Sequence, residues 1–354
     1  MPRKTALVIC PGRGAYNREE LGYLGRYHGD KSELLARIDA HRTAAGQETI
    51  SALDGAASFS VSHFTRGDNA SSLIYTCAYL DFHSIDTDAY DIVAVTGNSM
   101  GWYIALACAG ALDIDGGFEF VNTMGTLMHD ALIGGQLLYP FVDVNWEEIP
   151  GKRAELIALT ERIPNLHVSI YLGGMVVFAG DAAALETAGN ALEPVQERFP
   201  MRLANHAAFH TPLQEPVALE GQARLPVDLL RQPDIPLIDG RGHTWLARGS
   251  NLDALWNYTL GHQVVAPYDF TSAVRNGLRE FAPDAIIILG PGQALGGAVA
   301  QCLINERWHD ISNKRDFLEQ QAIDPFVYAM GIEEQRARVV RNGYQATIEG
   351  RAKL

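Results

Sequence analysis

The stretch VTGNSMGWYIALACAGAL, residues 95–112, brings a β-branched pair into Gly97-Asn98-Ser99-Met100-Gly101 and then continues as an Ala/Leu-rich segment with no proline. A strand that enters Gly-x-Ser-x-Gly and leaves as a helix is the setting of a nucleophile elbow. Small residues on both sides of the serine permit a sharp, strained turn that lifts the hydroxyl to the carboxyl edge of a sheet. The helix that follows adds its N-terminal dipole, and the Met100 N–H is placed to donate to a developing oxyanion. The plainer reading of the same residues is an ordinary strand-to-helix turn.

Outward from the elbow, short runs at Ala6–Cys10, Ile92–Thr96 and Ala285–Leu289 read as buried strands, each ending at glycine or proline. They alternate with helical patterns at about 31–45, 70–84, 100–111, 117–132 and 268–281. This alternation predicts an α/β fold with a largely parallel sheet. Residues 136–206 differ: QLLYPFVDV, KRAELIALTERI, LHVSIYL, MVVFAGD, AAALETAGNALEPVQERF and MRLANHA give the order β-α-β-β-α-β. That is a ferredoxin-like split unit, expected as a subdomain inserted into a core made of residues 1–135 and 207–303. The segment 304–354 is more polar, carries Arg336, Arg338, Arg341, Arg351 and Lys353, and is expected to be a helical, peripheral C-terminal extension.

Composition excludes several function classes. The 354 residues are 47% hydrophobic, enough for a sizeable core. The longest apolar run, Trp102 to Leu112, reaches about half of the ~20 residues of a bilayer span, so no membrane partner is expected. Too few apolar residues precede Pro11 for a signal-peptide core, and that segment reads as a first strand. Cys10, Cys77, Cys108 and Cys302 are scattered, without a CxxC pair, as buried reduced thiols of a cytoplasmic protein would be. A net charge of −14 opposes a general nucleic-acid binder. There is no HExxH, EF-hand loop or P-loop, and Gly12-Arg13-Gly14 lacks the rest of a dinucleotide motif, so neither a metal nor a bound cofactor is expected.

A serine hydroxyl is a weak nucleophile until a base takes its proton. Of eleven histidines, His210 stands out in NHAAFHTPLQEP (205–216), where Pro212 fixes a turn just after it. Its residues alone also allow a partly buried structural histidine.

The blocks CPGRG (10–14), GNSMG (97–101), AAFHTPLQEP (207–216), HQVVAP (262–267) and LGPG (289–292), with VVFAGD (176–181), stand in the order and rough spacing of a known family. Over roughly residues 5–303 the chain resembles the malonyl-CoA:acyl-carrier-protein transacylase family. The resemblance implies a hydrolase-like α/β core with a ferredoxin-like subdomain and an active site in the cleft between them. It implies Ser99 as the nucleophile, His210 as the base, and Gln263 as the residue whose main-chain carbonyl orients the histidine. The oxyanion hole would be the N–H groups of Met100 and Arg13. Acyl-CoA would be the donor and the phosphopantetheine thiol of an acyl carrier protein the acceptor, in ping-pong covalent catalysis.

The chain departs from the family in ways that bear on its substrate. The family's malonyl enzymes carry an arginine in an R-G-x-(L/F)-M block; here the block is Met124-Gly125-Thr126-Leu127-Met128. A thioether cannot replace a guanidinium clamp on a carboxylate. Arg13 stands where the family has glutamine; its side chain either supplies a cation near the acyl group or sits in solvent. Asn98 and Trp102 replace the family's histidine and glutamate around the serine, and Ser169 and Tyr171 replace a polar pair. Met124, Trp102, Tyr171, Phe209 and Asn98 are therefore expected to form a pocket for an uncharged acyl group, although Trp102 and Tyr171 could simply pack an interface. The rival functions are an acyl hydrolase acting on carrier-bound thioesters and a non-catalytic carrier-binding scaffold. Arg202, Arg241, Arg248, Arg275 and Arg279 are candidates for docking an acidic carrier.

Overall fold

The computed structural model describes residues 2–341. The described residues contain eleven strands: β1 (Lys4–Cys10), β2 (Tyr90–Gly97), β3 (Gly135–Pro140), β4 (Leu166–Leu172), β5 (Met175–Gly180), β6 (Met201–Leu203), β7 (Leu237–Ile238), β8 (Thr244–Trp245), β9 (Tyr268–Asp269), β10 (Ala285–Ile288) and β11 (Val327–Ala329). The predicted strands coincide with β1, β2 and β10, except that Leu289 lies just past the end of β10. The predicted helices correspond to Ser32–Ala44, Gly67–Phe82, Gly101–Cys108, Ile114–Asp130 and Phe270–Phe281.

Six strands form one sheet in the order β11-β10-β1-β2-β7-β8, parallel except between β7 and β8. Ala6–Cys10 and Ala285–Ile288 are fully or almost fully buried. A strand covered on both faces needs no polar alternation, hence these unbroken apolar runs. Because Cys10 lies opposite Gly97 in the register of β1 and β2, the loops after these strands leave the sheet side by side. They do so at the carboxyl edge, where open parallel sheets present their ligand crevices.

The other sheet runs β6-β3-β5-β4-β9. Its first four strands are antiparallel at every step, the order of a split β-α-β arrangement. Its fifth strand comes from outside the 136–206 segment: Tyr268 of β9 pairs in parallel with Ile170 of β4. The inserted segment therefore does not complete its sheet alone, and β9 joins it to the core. Helices Gly67–Phe82 and Ile114–Asp130 cross closely at Gly67 and Gly125, where an added Cβ would lie 2.3 Å and 2.6 Å from the other glycine's carbonyl oxygen. This approach holds the second helix, with Met124 and Met128, beside the elbow.

The reading of 304–354 as a peripheral helical extension is corrected where it is described. Tyr328 of β11 pairs with Ile287 of β10, which extends the core sheet, and Arg336 is buried. Arg336 Nη1 donates to Asp81 Oδ1 at 2.6 Å and to the Tyr23 hydroxyl at 3.0 Å. Asp81 also accepts from Tyr23 (2.7 Å) and from the Gly290 N–H (2.8 Å). A three-residue strand amid charged residues carries too little periodicity to be recognised, and Arg336 finds its carboxylate far away in sequence. Arg351 and Lys353 lie outside the described residues.

Candidate active site

Ser99 adopts φ 55°, the left-handed backbone that a nucleophile elbow requires of a non-glycine residue. The flanking glycines are sterically required: a Cβ on Gly97 would stand 2.3 Å from the Gly101 carbonyl oxygen, and one on Gly101 would stand 2.4 Å from the Cys10 oxygen. Met100 caps the helix Gly101–Cys108, so the serine sits at the positive end of a helix.

Ser99 Oγ lies 2.7 Å from His210 Nε2, and His210 Nδ1 donates to the Gln263 carbonyl at 2.5 Å. The His210 N–H donates to the Val264 carbonyl at 3.0 Å, so ring and backbone are both held, with φ at 58°. The Gln263 carbonyl is free for a local reason. Gln263–Val265 closes a helical segment whose first part, Tyr258–His262, is π-helical. The N–H that would ordinarily bond the Gln263 carbonyl belongs to the residue four further on, which is Pro267 and has none. The proline in HQVVAP is thus a sequence signal for the carbonyl that holds His210. Burial pushes the His210 pKa down to about 4 despite the bond to Gln263, so the imidazole is neutral near pH 7 and able to accept a proton. Gln263 Nε2 also donates to the Ser99 carbonyl at 3.0 Å, and the Tyr268 hydroxyl donates to the Gly97 carbonyl at 2.6 Å.

No protein-family model matches the chain. It is 27% identical to the malonyl CoA-acyl carrier protein transacylase of Haemophilus influenzae over 209 residues, 57% of this chain and 63% of that protein. It is 26% identical over 237 residues to a phenolphthiocerol/phthiocerol polyketide synthase subunit of Mycobacterium tuberculosis, 66% of this chain and 15% of that protein. Among solved structures, the malonyl-CoA:ACP transacylase of Synechocystis superposes with TM-score 0.72 at 16% identity, covering 95% of this chain and all of that one. That of Helicobacter pylori gives 0.70 at 18%, covering 98% of each. In sequence and in fold, the chain resembles the malonyl-CoA:acyl-carrier-protein transacylases. The matched segment spans less than two thirds of the Haemophilus transacylase.

Ser99, His210, Gln263, Met100 and Arg13 all line one cavity of about 430 Å³. Of the residues expected in a transacylase-like acyl pocket, Met124, Phe209 and Asn98 line it as well; Trp102 and Tyr171 do not. Trp102 is fully buried on the other side of its helix, donating from Nε1 to Thr259 Oγ1 at 3.0 Å and meeting Tyr258 edge-on. Its helix turns Tyr103 toward the cavity instead. On β4, Ile170 and Leu172 face the cavity, so the alternate residue Tyr171 points away, beneath the Arg153 guanidinium. The remaining walls are largely apolar, with Val121 and Met128 from the helix Ile114–Asp130 and Leu138, Met175 and Val177 from β3 and β5, while Ser71, Gln136, Arg198 and His206 are polar members of the lining.

The Arg13 side chain is not in solvent. It reaches Met128 Sδ and the carbonyls of Thr65 and Asn205, while its Nε is buried without a partner among the described residues. Burial lowers its pKa to about 9, which leaves it charged at neutral pH. Its charge and, more strongly, burial push the nearby His206 pKa down to about 3. Sequence reading missed a polar chain at this end: His206 Nδ1 lies 2.7 Å from Gln136 Oε1, Gln136 Nε2 donates to Ser169 Oγ at 2.7 Å, and Ser169 Oγ donates to the Phe209 carbonyl at 2.8 Å. It fixes Phe209, the residue before His210.

Of the arginines considered for docking, Arg241, Arg248 and Arg279 pair with Asp239, Asp234 and Glu306, and Arg275 donates to Ser272. Arg202 alternates with cavity-lining Met201 and Leu203 and so faces away from the cavity. Among the described residues no three His, Cys, Asp or Glu side chains gather as metal ligands, and no helix is long and apolar enough to cross a membrane.

Proposed function

We propose that the protein is an acyltransferase that moves an acyl group from acyl-CoA to the phosphopantetheine thiol of an acyl carrier protein through an ester on Ser99. The observation that carries this is the relay Ser99 Oγ, His210, Gln263 carbonyl at the foot of a largely apolar cavity. His210 Nε2 takes the serine proton as Oγ bonds the thioester carbon. The oxyanion is met by the N–H groups of Met100 and Arg13; losing one such donor typically costs about 10²–10³ in rate. The C–S bond then breaks and the imidazolium returns its proton to the departing sulfur. The carrier thiol reverses these steps. The names of the relatives support the carrier and the CoA thioester as partners, and no resident cofactor is needed.

The acyl group is uncharged in this reading. Met124 brings a thioether to the position of the family's guanidinium, and most of the cavity wall is apolar. One observation favours a second reading: the Arg13 guanidinium lies in the same wall with a buried, unpartnered Nε, and could bind an acyl carboxylate. Intact-protein mass after exposure to malonyl-, acetyl-, propionyl- and longer acyl-CoA, one at a time, separates them. An uncharged adduct without a malonyl adduct supports the first reading; a malonyl adduct that disappears in Arg13→Gln supports the second. Chase of the adduct by carrier thiol establishes a transferase, and loss to water alone a hydrolase. If no donor leaves an adduct, the catalytic reading fails and a scaffold role takes its place.

A further inference from the structure

Gln263 touches the Ser99–His210 pair twice. Its main-chain carbonyl holds the base, and its carboxamide Nε2 holds the nucleophile's own carbonyl. A carboxamide turned over would set its oxygen against the Ser99 oxygen, so its orientation matters. Tyr103 fixes that orientation, because its hydroxyl donates to Gln263 Oε1 at 3.0 Å in buried surroundings. Burial pushes the phenol pKa up, so the hydroxyl keeps its proton. Tyr103 lies about one helical turn beyond Ser99, and the two held residues both carry left-handed backbone, with φ 55° and 58°. Such conformations persist only where neighbours over-determine them.

We propose that Tyr103 is a positioning residue for the Ser99–His210 pair, acting through the Gln263 carboxamide. The proposal rests on the reading of Ser99 as the nucleophile. It is tested with a fluorophosphonate, which needs no knowledge of the acyl donor: Ser99 Oγ bonds phosphorus, fluoride leaves, and the serine proton passes to His210. Labelling is followed by intact mass against probe concentration. Tyr103→Phe, which keeps the ring, is expected to slow the maximal labelling rate about tenfold, the effect of one lost buried hydrogen bond, with the half-saturating probe concentration unchanged. Gln263→Leu, which leaves the main-chain carbonyl in place, should slow it at least as much, and the double variant no further than Gln263→Leu alone. Wild-type rates in Tyr103→Phe, or losses that multiply in the double variant, would overturn the proposal. Should Tyr103→Phe not fold, a wild-type rate in Gln263→Leu would overturn it equally. A wild-type protein that takes no label sinks the nucleophile reading itself, and this proposal with it.

Discussion

At the scale of single residues, the site is two side chains held in uncommon backbone conformations by carbonyls and glycines. The depressed pKa of His210 has a signed consequence. A base works only while neutral, so acylation of Ser99 should be flat from neutral pH down to about 5 and fall as pH drops through about 4. A rate profile breaking near the ordinary histidine value of about 6.5 would show that burial does not govern this residue. The serine was legible in the sequence because sterics dictate its neighbours: only glycine fits at 97 and 101. Trp102 was not, because the residue type says nothing of which side of a helix faces the cavity. Tyr103, one position on, is the residue turned toward it.

At the scale of elements, a proline decides where His210 is anchored. Pro267 leaves the Gln263 carbonyl without an intrahelical donor, and His210 occupies it. Pro267→Ala supplies an N–H that can extend the helix and compete for that carbonyl. We expect several-fold slower acylation with a melting temperature near that of the wild type; unchanged acylation would show that the carbonyl is freed by the π-helical turn alone. Gly101→Ala is the harsher test of the elbow, since its methyl would meet the Cys10 carbonyl at 2.4 Å. Loss of the Ser99 adduct is expected there even in protein that still folds, as read by circular dichroism. The two sheets were largely legible because apolar runs and turn residues mark their strands. The orientation of Tyr171 was not, because alternation along β4 assigns faces only once the cavity side is known.

At the scale of the whole molecule, the chain closes on itself at Asp81. This buried carboxylate binds Tyr23, His28, Arg336 and the Gly290 N–H, and so ties the first hundred residues to the loop after β10 and to the segment after β11. Arg336→Met removes the guanidinium of a buried ion pair and should cost about 3–5 kcal/mol in denaturant unfolding, because Asp81 then keeps its charge with only its hydrogen bonds from Tyr23, His28 and the Gly290 N–H. A change below about 1 kcal/mol would mean that the pair is replaceable. Nothing local foretold this contact. Asp81 and Arg336 stand 255 positions apart, and an arginine in a polar segment reads as solvated until its partner is placed. The overall α/β architecture was legible, since alternating strands and helices leave few ways to build a parallel sheet.

Transfer by this protein stands or falls with an acyl group on Ser99. The most direct test is to expose the protein to acyl-CoA, quench in acid, and locate the added mass by peptide sequencing, with Ser99→Ala in parallel. One acyl ester is expected on Ser99 and none on the variant. An adduct on another residue, or one that survives Ser99→Ala, would contradict this expectation.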